Sequence, residues 1–268
     1  MGDLVSVLIP TRNRPQLAVK AVKSALAQAY DSIEIIVTDN SDTDVLGNIL
    51  ATVADQRIRY VKNRENIGPI PNWRSALEIS NGKYCLVLPD DDYLINPFYI
   101  EDSVKILADS TINLVITDCI LSYPSKNAVG FSGHTGLING HEFIRKGLRI
   151  PHIGNVFRRE GALCCNAFLS NDILWSDVEL WMKLLSTGNA YCYSKPSMLY
   201  LFHDNNIVLN MSKSQLIANS KFIRPSVEAI ADEKLVSELV IRYLCRVDSY
   251  GDLVDLEFVE SVIGLRKR

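Results

Sequence analysis

The feature that most limits the fold is a repeated switch of hydrophobic period. Short apolar runs of strand length recur through the first 120 residues, and most are followed by apolar residues at helical spacing. Leu4-Val5-Ser6-Val7-Leu8-Ile9 reads as a strand buried on both faces. Pro15 then suits a first helical turn, and Leu17, Ala21, Val22, Ala25 and Leu26 form one stripe. Residues 33–37 make a second strand, 45–53 a helix and 58–61 a third strand. Trp73, Ala76, Leu77 and Ile79 mark another helix, stopped by Asn81-Gly82. Residues 84–88 and 114–117 supply a fourth and a fifth strand. This alternation predicts an α/β fold, a mostly parallel Rossmann-like sheet with helices on both faces.

In such sheets ligands bind outside the carboxyl ends of the strands. The polar residues just past each strand therefore become the candidate site. Strand one ends in Pro10, Thr11, Arg12, Asn13 and Arg14; strand two in Asp39-Asn40-Ser41-Asp42. Strand three leads to Asn66 and Gly68, and strand four to Asp90-Asp91-Asp92. Three adjacent carboxylates raise one another's pKa, and a divalent cation carrying a diphosphate removes that conflict. The competing reading is a solvated acidic turn ahead of a helix near Pro97. The position after an apolar strand, beside three other polar tips, favours the metal. Asp39 can accept the imide hydrogen of a uracil or thymine, or hold a turn. Asn66 and Gly68 admit the same plain alternative, a tight turn. Nucleotidyl transfer would prefer a glycine-rich phosphate loop after strand one, and residues 10–15 contain no glycine.

As a set, Val5-Ser6-Val7-Leu8-Ile9-Pro10-Thr11-Arg12-Asn13, Ile35-Ile36-Val37-Thr38-Asp39-Asn40-Ser41, Asn66-Ile67-Gly68, Asn81-Gly82-Lys83-Tyr84 and Asp90-Asp91-Asp92 resemble the family 2 glycosyltransferases of the GT-A fold. Order and spacing agree over roughly residues 4 to 100, and a helix with Asp177 and a strand at Tyr200-Leu201-Phe202-His203 extend the likeness to about residue 206. The resemblance implies inverting transfer of a hexose or N-acetylhexosamine from a UDP- or dTDP-sugar, with Mn²⁺ or Mg²⁺, onto a glycan, glycolipid or glycoprotein hydroxyl. It assigns Pro10, Thr11, Arg12, Asn13, Asp39, Asn66, Gly68, Asp90 and Asp91 to the donor. Asp92 is its first choice for the metal and Asp91 its second, with His203 as the partner ligand. Many relatives carry an Asp where this chain has Pro89, so the triplet is a variant spacing. Asp177 stands where relatives have the general base, although Ser176 replaces the usual preceding acid. An Asp in a first helical turn is also favoured by the helix dipole alone. A non-catalytic module binding a nucleotide-sugar or a partner enzyme is the alternative; Asp177 and His203 argue against it.

The remaining chain adds limits. Of 268 residues, 47% are hydrophobic and 22% charged, an ordinary globular balance, and a net charge of -3 disfavours a nucleic-acid partner. Six cysteines with no Cys-x-x-Cys pair read as reduced thiols in a cytoplasmic protein. No apolar run reaches membrane-spanning length. Met1-Gly2-Asp3-Leu4-Val5-Ser6 fits a loose myristoylation pattern, set aside because residues 4–9 form a buried strand. A donor half at about 1–120, an acceptor half at 121–206 and a helical extension at 207–268 are expected. Residues 120–170, with Gly130, Gly133, Gly136 and Gly140, read as a mobile loop holding one short helix near 141–148. Ser176 and Glu179 suggest a capping box opening a helix to residue 185, closed by Gly188. His134, His141 and His152 read as loop residues or acceptor contacts. The last helices could join two copies, and Arg266-Lys267-Arg268 either attracts an anionic membrane surface or forms a solvated tail.

Overall fold

The computed structural model describes residues 2–123, 127–130, 132–148, 150, 154–169 and 176–203. The expected extension at 207–268, together with His152, Cys245 and the terminal basic triplet, lies outside them. In chain order the elements are β1 (Val5–Thr11), α1 (Pro15–Leu26), β2 (Ile33–Asp39), α2 (Val45–Val53), β3 (Ile58–Lys62), α3 (Pro69–Ile79), β4 (Tyr84–Val87), β5 (Tyr93–Leu94), α4 (Tyr99–Leu107), β6 (Ile112–Ser122), β7 (Asn127–Gly130), β8 (Gly136–Asn139), α5 (Gly140–Arg145), β9 (Val156–Arg158), α6 (Arg159–Cys164), α7 (Ser176–Thr187) and β10 (Asn189–Leu201).

The strands form one sheet in the order β3-β2-β1-β4-β9-β6-β10-β5. β1 runs parallel to both β2 and β4, and β2 to β3, so the chain ends of these four strands share one edge. β9 is antiparallel to β4 and β6, while β10 runs parallel to β6. β6 carries β9 and then β7 along one side, and β10 carries β8 and then β5 along the other. The register between β6 and β10 jumps from Tyr193↔Thr117 to Met198↔Cys119, leaving residues 194–197 bulged opposite Asp118.

Strand alternation builds two cores. Val5, Val7 and Ile9 of β1 face Ala18, Ala21, Val22 and Ala25 of α1, together with Tyr99 and Ile100 of α4. Leu8 and Ile36 face the other way, onto Ile70, Ala76 and Leu77 of α3 and the helices α5 to α7. Helices thus cover both faces, as the alternation predicts. α3 starts four residues before the apolar stripe, because Pro69 sits in its first turn, where a missing N–H costs nothing.

The described residues of the stretch read as a mobile loop carry more regular structure than expected. β6 continues to Ser122, so the division near residue 120 falls inside a strand. Gly130 closes β7, Gly136 opens β8 and Gly140 opens α5. A Cβ on Gly140 would strike the carbonyl oxygens of Leu185 and Gly188, so only glycine lets α5 approach α7 this closely. β9 is three residues long, too short to show a period, and is stabilised by pairing on both sides. α7 opens at Ser176 as expected, and Glu179 pairs with Lys183 at 2.7 Å. Among the described residues no helix is long and apolar enough to cross a membrane. Cys85, Cys119, Cys164, Cys165 and Cys192 are free thiols.

Candidate active site

Two neighbouring clusters occupy the carboxyl edge. The first is built on the triplet. Asp90 accepts a 2.7 Å hydrogen bond from Thr11 Oγ1 at the end of β1. Arg14, just ahead of α1, places one Nη1 at 2.8 Å from Asp91 Oδ2 and 3.3 Å from Asp90 Oδ1. His203, two residues past β10, brings Nε2 to 2.9 Å from the same Asp91 oxygen. Residues 77 and 112 positions away in sequence therefore meet at the Asp91 carboxylate. Burial, and then the charge of Asp91, push the Asp90 carboxyl up to about 6, against the Thr11 and Arg14 hydrogen bonds that lower it.

The three aspartates are not equivalent. Asp92 turns inward: it is buried, and Oδ1 accepts the backbone N–H of Leu201 at 3.2 Å. Burial first, and Asp91 second, hold its carboxyl well above the usual range. The sequence expectation ranked Asp92 ahead of Asp91 as the metal contact. Asp92 fastens the turn to β10, while Asp91, itself buried, meets Arg14 and His203.

The second cluster fixes the loops after β1, β2 and β3. Asp39 is fully buried; Oδ1 accepts from the Ser41 N–H at 2.7 Å and Oδ2 from the Tyr60 hydroxyl at 2.8 Å. Asn13 adopts φ 55°, a left-handed conformation that asparagine tolerates better than most residues. Its N–H donates to Ser41 Oγ at 2.7 Å, and its side chain exchanges two hydrogen bonds with Asp42. Asn40 donates to the Gly68 carbonyl, Asn63 donates to the side-chain oxygens of Asn40 and Asn72, and Asn72 donates to the carbonyls of Thr11 and Thr38. Gly68 precedes α3 at φ +91°, a strained value for any other residue, and its N–H donates to Asn66 Oδ1 at 3.1 Å.

The residues expected from sequence divide accordingly. Thr11, Asp90, Asp91 and His203 meet in one cluster; Asn13, Asp39, Asn66 and Gly68 belong to the loop framework beside it. Arg12 points outward, 3.9 Å from Asp42, and Pro10 is buried within β1 opposite Thr38. Asp177 lies in the first turn of α7, half-buried. The far end of α7 touches Asn113 at the start of β6, through Leu184 O and Thr187 Oγ1. The helix therefore runs back along the sheet and points its N-terminal end, with Asp177, toward the carboxyl edge. Trp181, buried against Phe157 at 5.5 Å between ring centroids, anchors it there. Tyr60 and Asn72 were not among the expected site residues, and Arg14 and Asn63 were strand-tip residues without an assigned role.

Asp91 and His203 offer oxygen and nitrogen donors suited to Mn²⁺ or Mg²⁺. The Asp90 and Asp91 carboxylates face a single guanidinium, Arg14, and the imidazole of His203, a donor set that fits a cation. Among the described residues no group of three His, Cys, Asp or Glu side chains forms a ready cage. A cation here would have to take its other ligands from donor oxygens and water.

A mixed sheet with a parallel β3-β2-β1-β4 half and carboxylates at its carboxyl edge matches the GT-A fold. The chain belongs to glycosyl transferase family 2, whose family model matches residues 6–158, and it is a glycosyltransferase. Over 217 residues it is 26% identical to the GalNAc(5)-diNAcBac-PP-undecaprenol beta-1,3-glucosyltransferase of Campylobacter jejuni, covering 78% of this chain and 69% of that one. Over 93 residues it is 38% identical to the Escherichia coli UDP-Glc:alpha-D-GlcNAc-diphosphoundecaprenol beta-1,3-glucosyltransferase WfaP, covering 35% of this chain and only 37% of the E. coli protein. Among solved structures, residues 1–349 of Staphylococcus aureus TarS in complex with UDP-GlcNAc superpose with a TM-score of 0.72 at 14% identity, over 97% of this chain and 80% of that one. The mannosyltransferase PcManGT of Pyrobaculum calidifontis, solved with GDP-Man and Mn²⁺, gives 0.62 at 16% identity, over 99% and 75%. These two likenesses speak for the fold.

Proposed function

We propose that the protein is an inverting transferase moving a hexose or N-acetylhexosamine from a UDP-sugar to a hydroxyl of a growing glycan on a lipid diphosphate, in bacterial surface-glycan synthesis. The observation that carries this reading is the convergence of Arg14 and His203 on Asp91, beside Asp90. The UDP and lipid-diphosphate assignments draw support from the names of the C. jejuni and E. coli relatives and from UDP-GlcNAc in TarS.

In this reading Asp91 and His203 hold the divalent cation, which when bound offsets charge on the leaving diphosphate. Thr11 keeps Asp90 aimed at the donor, and Asp92 keeps the turn seated on β10. The nucleoside rests against the loops after β1 and β2, with Asp39 as the base-reading carboxylate and Tyr60 as its support. Arg12 is exposed enough to cover the nucleotide from outside. Asp177 takes the proton of the attacking hydroxyl. A helix N-terminus keeps that carboxylate ionised, as a base must be, at some cost in basicity. The hydroxyl becomes acidic only late in the attack, so a weak base suffices.

The test is UDP release by purified protein from UDP-glucose, UDP-GlcNAc and UDP-galactose, with and without a short glycan on polyprenyl diphosphate. Release is expected to need Mn²⁺ or Mg²⁺, to stop with EDTA and to rise with acceptor. If no UDP-sugar is consumed and UDP does not raise the melting temperature, the proposal fails.

A further inference from the structure

Arg14 is the residue of the edge cluster with no role in the mechanism above. Its Nη1 sits 2.8 Å from Asp91 Oδ2, the oxygen that also lies 2.9 Å from His203 Nε2. A carboxylate oxygen has two lone pairs, so both on this atom are engaged. A divalent cation at Asp91 takes this oxygen or Oδ1 beside it, and at either place it lies close to both neighbours. His203 can give way by turning a nitrogen lone pair to the ion itself. Arg14 cannot: a guanidinium has no lone pair, keeps its charge at any ordinary pH, and repels a neighbouring cation. A bound ion therefore competes with Arg14 for Asp91 and favours transfer of the guanidinium toward another anion. The anion that arrives with the ion is the donor diphosphate, whose oxygens match the guanidinium fork.

We propose that Arg14 is a built-in counter-cation that hands over from Asp90 and Asp91 to the donor diphosphate. The free enzyme then binds the divalent ion weakly and takes it up together with the donor. The inference rests on the donor-site reading above and adds an order to it. Because binding free energies are reciprocal, the same exchange that lets UDP recruit the ion lets the ion recruit UDP.

Unbound Mn²⁺ is counted by its aqueous electron paramagnetic resonance signal, with and without UDP, for the wild type, Arg14→Met and Arg14→Lys. UDP binding without metal is measured by calorimetry. Arg14→Met is expected to bind Mn²⁺ alone about tenfold more tightly than the wild type and to gain less from UDP, within the range usual for linked sites. It is also expected to bind UDP alone more weakly, with Arg14→Lys in between. Should Arg14→Met not fold, Arg14→Gln removes the same charge. If the neutral variant holds Mn²⁺ alone no more tightly while UDP still recruits the ion in both proteins, the role of Arg14 is refuted and the donor site stands. If UDP recruits no Mn²⁺ even to the wild type, the metal reading falls, and this inference with it.

Discussion

Removing the Tyr60 hydroxyl tests how Asp39 is held. Asp39 is fully buried, and its two oxygens take one backbone N–H and one phenol O–H. Tyr60→Phe takes away the 2.8 Å donor without changing ring volume, leaving Oδ2 short of a partner inside the loop framework. A hydrogen bond to a charged group is worth about 1.5–3 kcal/mol. The Tyr60 ring is itself only partly buried, so water can reach the gap and the lower end applies. At roughly 2–4 °C per kcal/mol for a chain of this size, the melting temperature should fall by about 3–6 °C. The pH dependence gives a second handle. Burial, and then the bond to Asp39, raise the Tyr60 phenol above its ordinary value of 10.0. Above pH 10 the folded state holds a proton that the unfolded state has lost, so stability is complete below pH 10 and declines as pH rises toward the raised value. The gap between wild type and Tyr60→Phe should therefore narrow in alkaline melts. Thermal melts from pH 7 to 11, with a double-mutant cycle to Asp39→Asn, measure both effects. A Tyr60→Phe protein that melts within 1 °C of wild type at pH 7, as an order-of-magnitude bound, with no cycle coupling and unchanged UDP affinity, would show that Asp39 does not depend on Tyr60.

Other expectations follow from the same geometry. Asp177→Asn should lower transfer by about 10²–10⁴-fold, as removal of a general base does, with UDP binding unchanged; near-normal turnover would sink the assignment. Gly140→Ala should destabilise the protein by at least about 1–3 kcal/mol in denaturant unfolding, because the added carbon meets backbone oxygens that have nowhere to go. Burial pushes the Cys85 thiol up to about 12, whereas Cys164 is exposed. Mass-mapped alkylation at pH 8 should therefore label Cys164 well ahead of Cys85, which stays intact until unfolding.

Much of the framework is legible in the sequence because period reports which faces are buried. β1 to β4 and α1 to α3 fall within a few residues of where the apolar spacing puts them. The strand-tip rule then brings Thr11, Asp39 and Asp90 to one edge without any knowledge of contacts. Two kinds of information are missing. One is register: Tyr60 reaches Asp39 because Val37 pairs with Tyr60 and Asp39 with Lys62, so Tyr60 lies diagonal to it on the neighbouring strand. Nothing in a single strand's composition states that pairing. The other is the local turn. Asp90, Asp91 and Asp92 are chemically identical in sequence, and only the backbone after β4 decides that one turns to Thr11, one to His203 and one into the protein. Arg14 was visible as a tip residue, but its partners lie 76 and 77 positions away. β9 failed for a third reason: three residues cannot display a period.

The bulge at residues 194–197 has a consequence for how β10 meets the site. Below it the strand pairs with the first half of β6; above it, Met198 to Leu201 pair with residues 119–122. Leu201 then ties down Asp92, and His203 reaches Asp91 two residues later. At about 3.3 Å per residue, the distance from that tie to the imidazole is set by the upper segment alone. The bulge works as an expansion joint. A residue gained or lost at 194–196 falls where the ladder to β6 is already broken, and the Ser197 carbonyl, held by the Ile95 N–H, together with the Met198 to Leu201 pairing keeps the histidine in its place. A residue gained between Met198 and His203 has no such outlet and would carry the imidazole off the carboxylate.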